Sequence, residues 1–258
     1  MYLMYADEAD QDGSKEFLVY AGVFIPMKQV ANIHASIQHA RNKHGFSDGD
    51  VLKFSASTAP KSVSKEAHAA IKYDILALAG STECKTCCYV VPHAIAKNQK
   101  LETKLKFAVN TLLVKFDQFL RENKEAGGVV CFDHSTDYKQ VDYFKEIMEY
   151  GIAWGEKRVK LERVAAIHQS RIGLSHLASL ADVVVGSFRF AINEPDKDKV
   201  GSSLIKQLEA SMWGVMDKDD ELNVAERGIC VRPRDVKLDA HAADLHAFLK
   251  RLEDYSKK

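Results

Sequence analysis

The sequence has little of several features that would narrow its class. It has five cysteines in 258 residues, an odd number that argues against a disulfide framework. Lysine plus arginine and aspartate plus glutamate number 36 each, so there is no global field to draw in nucleic acid. Such a partner would have to be held by a local basic patch or by metal ions. Composition therefore neither supports nor excludes a nuclease.

Long apolar runs are also missing. No stretch approaches the ~20 uncharged apolar residues that a membrane span needs. Residues 1–5 have no basic lead-in and Asp7 follows closely, which predicts no signal peptide. We therefore expect a cytoplasmic protein without a membrane partner. With 46% hydrophobic residues, the chain has enough apolar side chains for the core of one large domain.

Apolar runs and their spacing predict an α/β fold. Runs rich in β-formers predict strands at residues 2–7, 17–25, 87–91 and 129–132, a more exposed strand at 159–164, and a short one at 228–231. Apolar residues at three- and four-residue steps predict helices at 28–44, 64–79, 101–122, 137–150, 174–192, 200–213 and 239–255. Two locally paired strands followed by strand–helix alternation predict a mixed sheet with helices on its faces.

Three aspartates interrupt this apolar pattern. Asp7 ends the first predicted strand and Asp133 ends the fourth, whereas Asp182 lies in a helix among small or apolar neighbours. A carboxylate on the buried side of a helix costs several kcal/mol unless it is paired or binds a cation. Crowded carboxylates are tolerated mainly beside a divalent cation, and hard oxygen ligands suit Mg²⁺ or Mn²⁺. Because side chains alternate across a strand, Asp7 and Glu8 cannot both point into one site.

Each aspartate also has a purely structural interpretation. An aspartate after a strand often forms a turn or caps a helix, which would explain Asp7 and Asp133 one at a time. Asp182 could form an interhelical salt bridge with Arg171 or Arg189. The joint placement of the three aspartates at the ends or on the faces of apolar elements is the stronger signal for a shared site.

The segments around these aspartates resemble the family named domain of unknown function 3800. The family's opening motif, Asp-Glu-Ser-Gly after a strand, is matched by residues 5–10, and its Gly-Val-containing second strand by residues 21–26. Its closing helix, Gln-Leu-Ala-Asp-hydrophobic-hydrophobic-x-Gly, is matched by residues 179–186. Residues 52–54 (Leu-Lys-Phe) resemble the family's Glu-hydrophobic-Lys element, and Asp133 follows a strand as the central aspartate of the family does. The resemblance covers roughly residues 1–195.

The resemblance implies a ribonuclease-H-like fold and a nuclease. The protein would have a mixed sheet with helices on both faces. A helical insert would lie at about 27–80, and an extension at 196–258 would pack on the 1–195 core. Its activity would be hydrolysis of RNA or DNA with Mg²⁺ or Mn²⁺ bound by Asp7, Asp133 and Asp182, with Glu8 as a further ligand. Lys53 would stabilise the charge that develops on the phosphate. The alternative is a catalytically inactive binding module with the same fold.

The sequence also departs from the family pattern. Ala9 and Asp10 replace the Ser and Gly of the first motif, Val51 replaces the Glu of the central element, and Ser179 replaces the Gln of the last motif. The missing Glu removes a fourth ligand from a site that would hold two metal ions ~4 Å apart. Either Glu8 or Asp10 could substitute for it.

Two other groups of residues have weaker interpretations. Cys84, Cys87 and Cys88, with His93 nearby, have zinc-like spacing, but they lack a second cysteine pair and are better explained as reduced core residues. The best basic cluster consists of Lys157, Arg158, Lys160 and Arg163. This basic cluster could follow a phosphate backbone or be a solvated strand face.

Overall fold

The computed structural model of the protein describes residues 1–9, 14–134, 138–218, 220–234, 236 and 238–257. The strands are β1 (Tyr2–Ala9), β2 (Phe17–Pro26), β3 (Lys85–Pro92), β4 (Gly128–Asp133), β5 (Ile152–Trp154), β6 (Lys157–Val159), β7 (Val164–Ser170), β8 (Val215–Met216), β9 (Leu222–Asn223) and β10 (Ile229–Val231). The helices are α1 (Val30–Lys43), α2 (Lys65–Ser81), α3 (Leu101–Glu122), α4 (Tyr138–Tyr150), α5 (His176–Asn193), α6 (Asp198–Glu209) and α7 (Asp239–Lys257). Within these ranges no helix is both long and apolar enough to cross a membrane.

Six strands form one mixed sheet in the order β10-β3-β2-β1-β4-β7. Strand β2 is antiparallel to both of its neighbours, β1 and β3. The pairs β1–β4, β4–β7 and β3–β10 are parallel. The order β3-β2-β1-β4-β7 with one reversed strand is the ribonuclease-H-like arrangement, and helices pack on both faces, so the predicted fold class is confirmed.

Helices on the two faces of the sheet enclose two separate cores. Helices α1, α2, α5, α6 and α7 cover one face, called here the α5 face, and α3 and α4 cover the other, called the α3 face. All ten residues of β2 are buried, which explains why its sequence is an almost unbroken apolar run. On the α3 face, the Phe24 ring lies 5.0 Å from both Phe116 and Phe119 and 6.1 Å from Trp213, centroid to centroid.

The ends of β1, β4 and β7 meet at one edge of the sheet, called here the carboxyl edge. The register pairs Ala6 with Phe132 across β1 and β4, and Asp133 with Ser170 across β4 and β7. Asp7 follows Ala6 directly, so it lies beside the end of β4. Open α/β sheets generally bind ligands at the carboxyl ends of their strands. The topology therefore places two of the three aspartates where a site is expected.

The strand predicted at residues 159–164 is wrong. The alternating apolar and charged residues there belong partly to a small hairpin, in which Ile152 pairs with Val159, and partly to the link that follows it. The sheet strand is β7, which begins at Val164 and ends at Ser170. It is an edge strand with mostly half-buried residues, so it lacks the apolar run that marks β2 and β4. The predicted start of a helix at residue 137 lies outside the described residues.

The insert and the helices of the C-terminal extension pack on the α5 face, while Trp213 of the extension lies in the core of the α3 face. Helices α1 and α2 lie between β2 and β3 in the chain, and α2 begins at a capped turn in which the Ser64 hydroxyl accepts the Ala67 N–H at 3.1 Å. Helix α6 packs on α5 and α7 packs on α6, while β10 adds a strand beside β3. The helix predicted at 200–213 is shorter, ending at Glu209. The proposed division of the chain at residue 195 stays a prediction.

Candidate active site

Asp7 and Asp133 point to the same face of the sheet. Ala6 and Phe132 belong to the core of the α3 face, so the alternation of a strand turns the next residue of each strand to the α5 face. There Asp7 and Asp133 line one small cavity together with Ala178 of α5 and its neighbour Ala181. The small side chains of α5 leave room for two carboxylates between the helix and the strand ends.

Asp182 follows Ala181 on α5 and reaches the same region from the helix. Its Oδ2 atom accepts a hydrogen bond from the Phe54 N–H at 2.5 Å. An ion pair with Arg189, one of the two arginines considered from the sequence, is not observed: the Arg189 guanidinium lies 3.8 Å from the Glu194 carboxylate. Asp182 is thus bound to the backbone of the insert, and its role as a metal ligand stays a prediction.

Phe54 packs directly against α5 because residue 186 is a glycine. A Cβ atom built on Gly186 would lie 2.2 Å from Cγ of Phe54 and 2.3 Å from its Cβ, which is closer than real side chains approach. Asp182 and Gly186 are four residues apart, so they lie on the same side of the helix. One holds the backbone of Phe54 and the other makes room for its ring. The glycine of the closing motif therefore has a packing role.

Helix α2 holds the same segment from the opposite side. The ring nitrogen Nε2 of His68 donates to the Lys53 carbonyl at 3.0 Å, and the Lys72 ammonium lies 4.2 Å from the centroid of the Phe54 ring. His68 and Lys72 are also four residues apart and share one side of α2. Residues 53–54 contact both α2 and α5, and they are called here the clamped segment. These contacts bring Lys53 and Lys72 of the insert close to the carboxyl edge.

Burial and like charge disfavour the ionised form of Asp7. Burial is the largest cause, followed by repulsion from Glu8 and Asp182 and, more weakly, from Asp133; together they raise the pKa of Asp7 to about 7. The Glu8 N–H, which donates to Asp7 Oδ1 at 2.8 Å, acts in the opposite direction. The three aspartates are therefore close enough to repel one another, which is the electrostatic condition that a bound cation would relieve.

Asp182 lies in a more balanced environment. Burial, the largest cause, and repulsion from Asp133 raise the pKa of Asp182. The Phe54 N–H and the ammonium groups of Lys53 and Lys72 lower it. The net effect is a raised pKa. Neither lysine is in direct ion-pair contact with Asp182 within the described part of the chain, so both act over a longer distance. Lys53 thus lies close enough to Asp182 to lower its pKa, and its role in a site, toward a phosphate, stays a prediction.

Glu8 occupies the other face of β1. The Tyr20 hydroxyl, buried in the core of the α3 face, donates a hydrogen bond to the Glu8 carboxylate. Burial is the main reason that the pKa of Tyr20 is raised, and the nearby acidic groups raise it further. The separation of Asp7 and Glu8 agrees with the alternation expected from the sequence. Glu8 as a further metal ligand stays a prediction that would require its side chain to leave Tyr20. Asp10, the other candidate, lies outside the described residues.

The donor set fits a divalent cation in its chemistry, with one restriction. Among the residues that the structure describes, no three His, Cys, Asp or Glu side chains are close enough to bind one ion together. Mg²⁺, however, is usually bound through one or two carboxylates and several waters. Asp7 and Asp133 supply two hard oxygen donors on one cavity, and Asp133 is exposed enough to turn without repacking a core. These two residues would hold the ion.

The other groups noted in the sequence lie elsewhere. All five thiols are unbridged, and successive residues Cys87 and Cys88 of β3 point into opposite cores, so the zinc-like spacing does not bring them together. The basic cluster precedes β7, and the Gly128 N–H donates to the Arg163 carbonyl at the start of β4. Asp133 is five residues further along β4, or about 17 Å. The cluster therefore lies at the opposite edge of the sheet from the aspartates.

Sequence reasoning missed several residues that shape the site. Lys72 and His68 lie on a helix whose visible signal was its apolar stripe, so nothing marked them as facing the carboxyl edge. Tyr20 was hidden in the apolar run of β2. Phe54 and Gly186 were both inside quoted motifs, but their contact joins positions 132 residues apart, and one sequence does not reveal such a pair.

Comparisons with known proteins identify no family and no activity for the chain. No family model matches the chain, and no curated protein matches it either, so the resemblance to domain of unknown function 3800 depends on the quoted motifs alone. Among solved structures, a chain from the complex of PCNA with RNase HII of Archaeoglobus fulgidus is similar at 13% identity and a TM-score of 0.45, covering 78% of this chain and 79% of that one. Bst-RNase HIII in complex with Mn²⁺ is similar at 13% identity and a TM-score of 0.40, covering 81% of this chain and 64% of that one. Likenesses this distant identify no activity.

Proposed function

We propose that the protein is a nuclease that hydrolyses phosphodiester bonds of nucleic acid with Mg²⁺ or Mn²⁺ bound at the carboxyl edge. The observation that carries the proposal is that Asp7, just after the last pair of β1 with β4, and Asp133, at the end of β4, line one cavity beneath α5, beside Asp182. Burying mutually repelling carboxylates disfavours their ionised forms, and a divalent cation removes that cost. A purely structural turn or cap would not require Asp7 to be buried among other acids.

Each group of the chain has a distinct part in this proposal. A bound divalent ion activates water and stabilises the leaving oxygen in phosphodiester hydrolysis. Asp7 and Asp133 would hold the ion, and Asp133 is the more exposed of the two. Lys53 contributes a positive charge toward the phosphate, which stabilises the charge that develops there. Asp182 fixes the clamped segment, and so the position of Lys53, through the Phe54 N–H.

The test is cleavage of labelled RNA and DNA, single- and double-stranded, in Mn²⁺ and in chelator. Losing a residue that merely orients a metal ligand already costs about 10- to 100-fold. Asp7→Asn and Asp133→Asn should therefore each lower turnover at least about 100-fold while the fold is kept, and Lys53→Ala should lower it less. Asp142→Asn is the matched control, because Asp142 is an exposed aspartate of α4 that pairs with Lys145. Cleavage that survives Asp7→Asn, or that persists in chelator, would contradict the proposal.

A second candidate is a binding module with the same fold and no catalysis. It is favoured by one observation: Val51 stands where the resembled family has a Glu, and its side chain lies near Gly173, just before α5, where a Cβ atom would be 3.6 Å from Val51 Cγ2. An apolar residue cannot serve as a fourth ligand there. Calorimetry with Mn²⁺ separates the two candidates, since a module without a metal site gives no binding heat and no rise in melting temperature.

A further inference from the structure

The positive and negative charges of the candidate site come from different parts of the chain. Asp7 and Asp133 lie toward the strand ends, whereas Lys53 and Lys72 lie toward the insert. The Lys72 ammonium lies 4.2 Å from the centroid of the Phe54 ring. Burial lowers the pKa of Lys72, and the Asp182 carboxylate acts against that shift by attracting the ammonium. Asp182 therefore already accepts a hydrogen bond from one backbone N–H and is attracted by two lysine charges before any ion binds.

Among the described residues, the insert adds no carboxylate beside Asp182 that could bind a second ion. Val51, near the start of the clamped segment, offers no oxygen from its side chain, and Asp182 Oδ2 is occupied by the Phe54 N–H at 2.5 Å. A divalent ion placed there would face two ammonium groups with a single carboxylate to bind it. Like charges brought together in a partly buried place repel one another more strongly than they do in water. The cavity that Asp7 and Asp133 line has no such obstacle.

We propose that the site binds one divalent cation, between Asp7 and Asp133, and that Lys72 supplies fixed positive charge beside Asp182 where a second cation would otherwise lie. The inference rests on the proposed metal-dependent function and specifies how many divalent cations the site binds. Lys72 acts here as a positioning and charge-compensating residue. The helical insert then has a specific task, because α2 carries Lys72 and, through His68, also holds Lys53 in place.

The experiment is calorimetric titration of the full chain with MnCl₂, which counts ions without relying on activity. The expected stoichiometry is one Mn²⁺ per chain. Lys72→Met should keep one ion and bind it more tightly, by about five- to tenfold, because a repelling charge is lost. Lys72→Arg should keep the wild-type affinity. Lys72→Glu adds a carboxylate beside Asp182 and should create a second binding event. The matched control is Lys65→Glu, an exposed site on α2 seven residues, or about 10 Å, before Lys72.

The outcomes separate this inference from the proposed function. Two Mn²⁺ ions bound to the wild-type chain would overturn the single-ion inference and leave the nuclease proposal standing. No Mn²⁺ bound at all would overturn both. Weaker Mn²⁺ binding in Lys72→Met would also contradict the inference, because a merely structural lysine would loosen the site when removed. If Lys72→Met does not fold, the wild-type stoichiometry and Lys72→Arg still decide the question. One ion in the wild type, with a second in Lys72→Glu and none added in Lys65→Glu, supports it.

Discussion

At the carboxyl edge, two adjacent residues of one strand face very different surroundings. Glu8 turns to the α3 face, where the Tyr20 hydroxyl binds its carboxylate and large aromatic rings fill the core. Asp7 turns to the α5 face, where Ala178 and Ala181 leave a cavity that it shares with Asp133. Both residues are half-buried. They differ in what each carboxylate meets, which is a core hydroxyl for Glu8 and other carboxylates for Asp7.

The two faces should accordingly respond to mutation in opposite ways. The α3 face contributes stability through contacts between large rings. The charges of the α5 face lower stability and, under the proposed function, bind the metal ion. A change on the α3 face should cost folding free energy and leave Mn²⁺ binding unchanged. A change on the α5 face should affect Mn²⁺ binding strongly and can raise the stability of the metal-free protein. The predictions below test this contrast, beginning with the largest effect.

Removing a central ring of the α3 face should have the largest effect on stability. Phe24 is fully buried against Phe116, Phe119 and Trp213, so Phe24→Ala should lower the free energy of unfolding by about 3–5 kcal/mol. Urea unfolding followed by circular dichroism measures the loss. Phe24→Leu, which keeps most of the volume, is the variant for calorimetry and should bind Mn²⁺ as the wild type does. A large loss of Mn²⁺ affinity in Phe24→Leu would show that the two faces are not independent.

Replacing Asp7 should have the opposite sign in chelator. The pKa of Asp7 is about 7 in the folded protein, against 3.8 for the ordinary side chain, so between these values the folded state keeps a proton that the unfolded state has lost. Wild-type stability should therefore fall as pH rises from about 4 to about 7. Asp7→Asn does not titrate and should be relatively more stable at pH 7, by an amount on the order of 4 kcal/mol.

The measurement is urea unfolding of both proteins at several pH values in EDTA. The difference between them should grow between pH 4 and pH 7 and change little above pH 8. Asp142→Asn on the exposed surface of α4 should show no such growth. A pH-independent difference between Asp7→Asn and the wild type would mean that Asp7 is not crowded by other acids, and the electrostatic argument for a cation would fail.

How far the sequence predicts this molecule depends on the range of the interactions involved. The strand positions of Asp7 and Asp133 follow from apolar runs that end in an acid, and alternation correctly separates Asp7 from Glu8, because both are local properties of a strand. The sequence predicts the edge strand at residues 159–164, too early in the chain, whereas β7 runs from Val164 to Ser170. The reason is that an edge strand exposed on one side need not be apolar. The sequence predicts the interior strands well: β2 is buried on both faces, and β4 is an apolar run whose residues alternate between buried and half-buried.

The clamped segment could not have been predicted from the sequence alone. It depends on α2 and α5 meeting residues 53–54 from two sides, and each contact joins distant parts of the chain. A helix shows its buried stripe in its sequence, but not which polar residue at the margin of that stripe faces a site. Lys72 is such a residue. Its position depends on the packing of the insert against the sheet, which one sequence does not encode in a readable pattern.

The contact between Gly186 and Phe54 should give an intermediate effect. Gly186→Ala places a methyl group where the Phe54 ring lies, and overpacking of this kind costs about 1–3 kcal/mol. In a Phe54→Ala background the same change should cost nothing or even stabilise, because alanine favours a helix over glycine by about 1 kcal/mol. A double-mutant cycle from urea unfolding measures the coupling. Additive effects of the two substitutions would show that the ring does not rest on α5 at this glycine.

The smallest expected effect distinguishes the two roles considered for Asp182. Asp182→Ala leaves the Phe54 N–H without its acceptor, which should cost about 1–3 kcal/mol in chelator. Asp182→Asn keeps an acceptor oxygen at the same position, and it loses both the repulsion from Asp133 and the attraction of Lys53 and Lys72. Because the pKa of Asp182 is raised on balance, neutralising it should leave stability unchanged or slightly higher. Thermal unfolding of the two variants side by side makes the comparison. A clear drop in melting temperature for Asp182→Asn would mean that attraction to positive charge dominates at this residue, and Asp182 would then be a structural ion-pair partner instead of a member of a crowded carboxylate site.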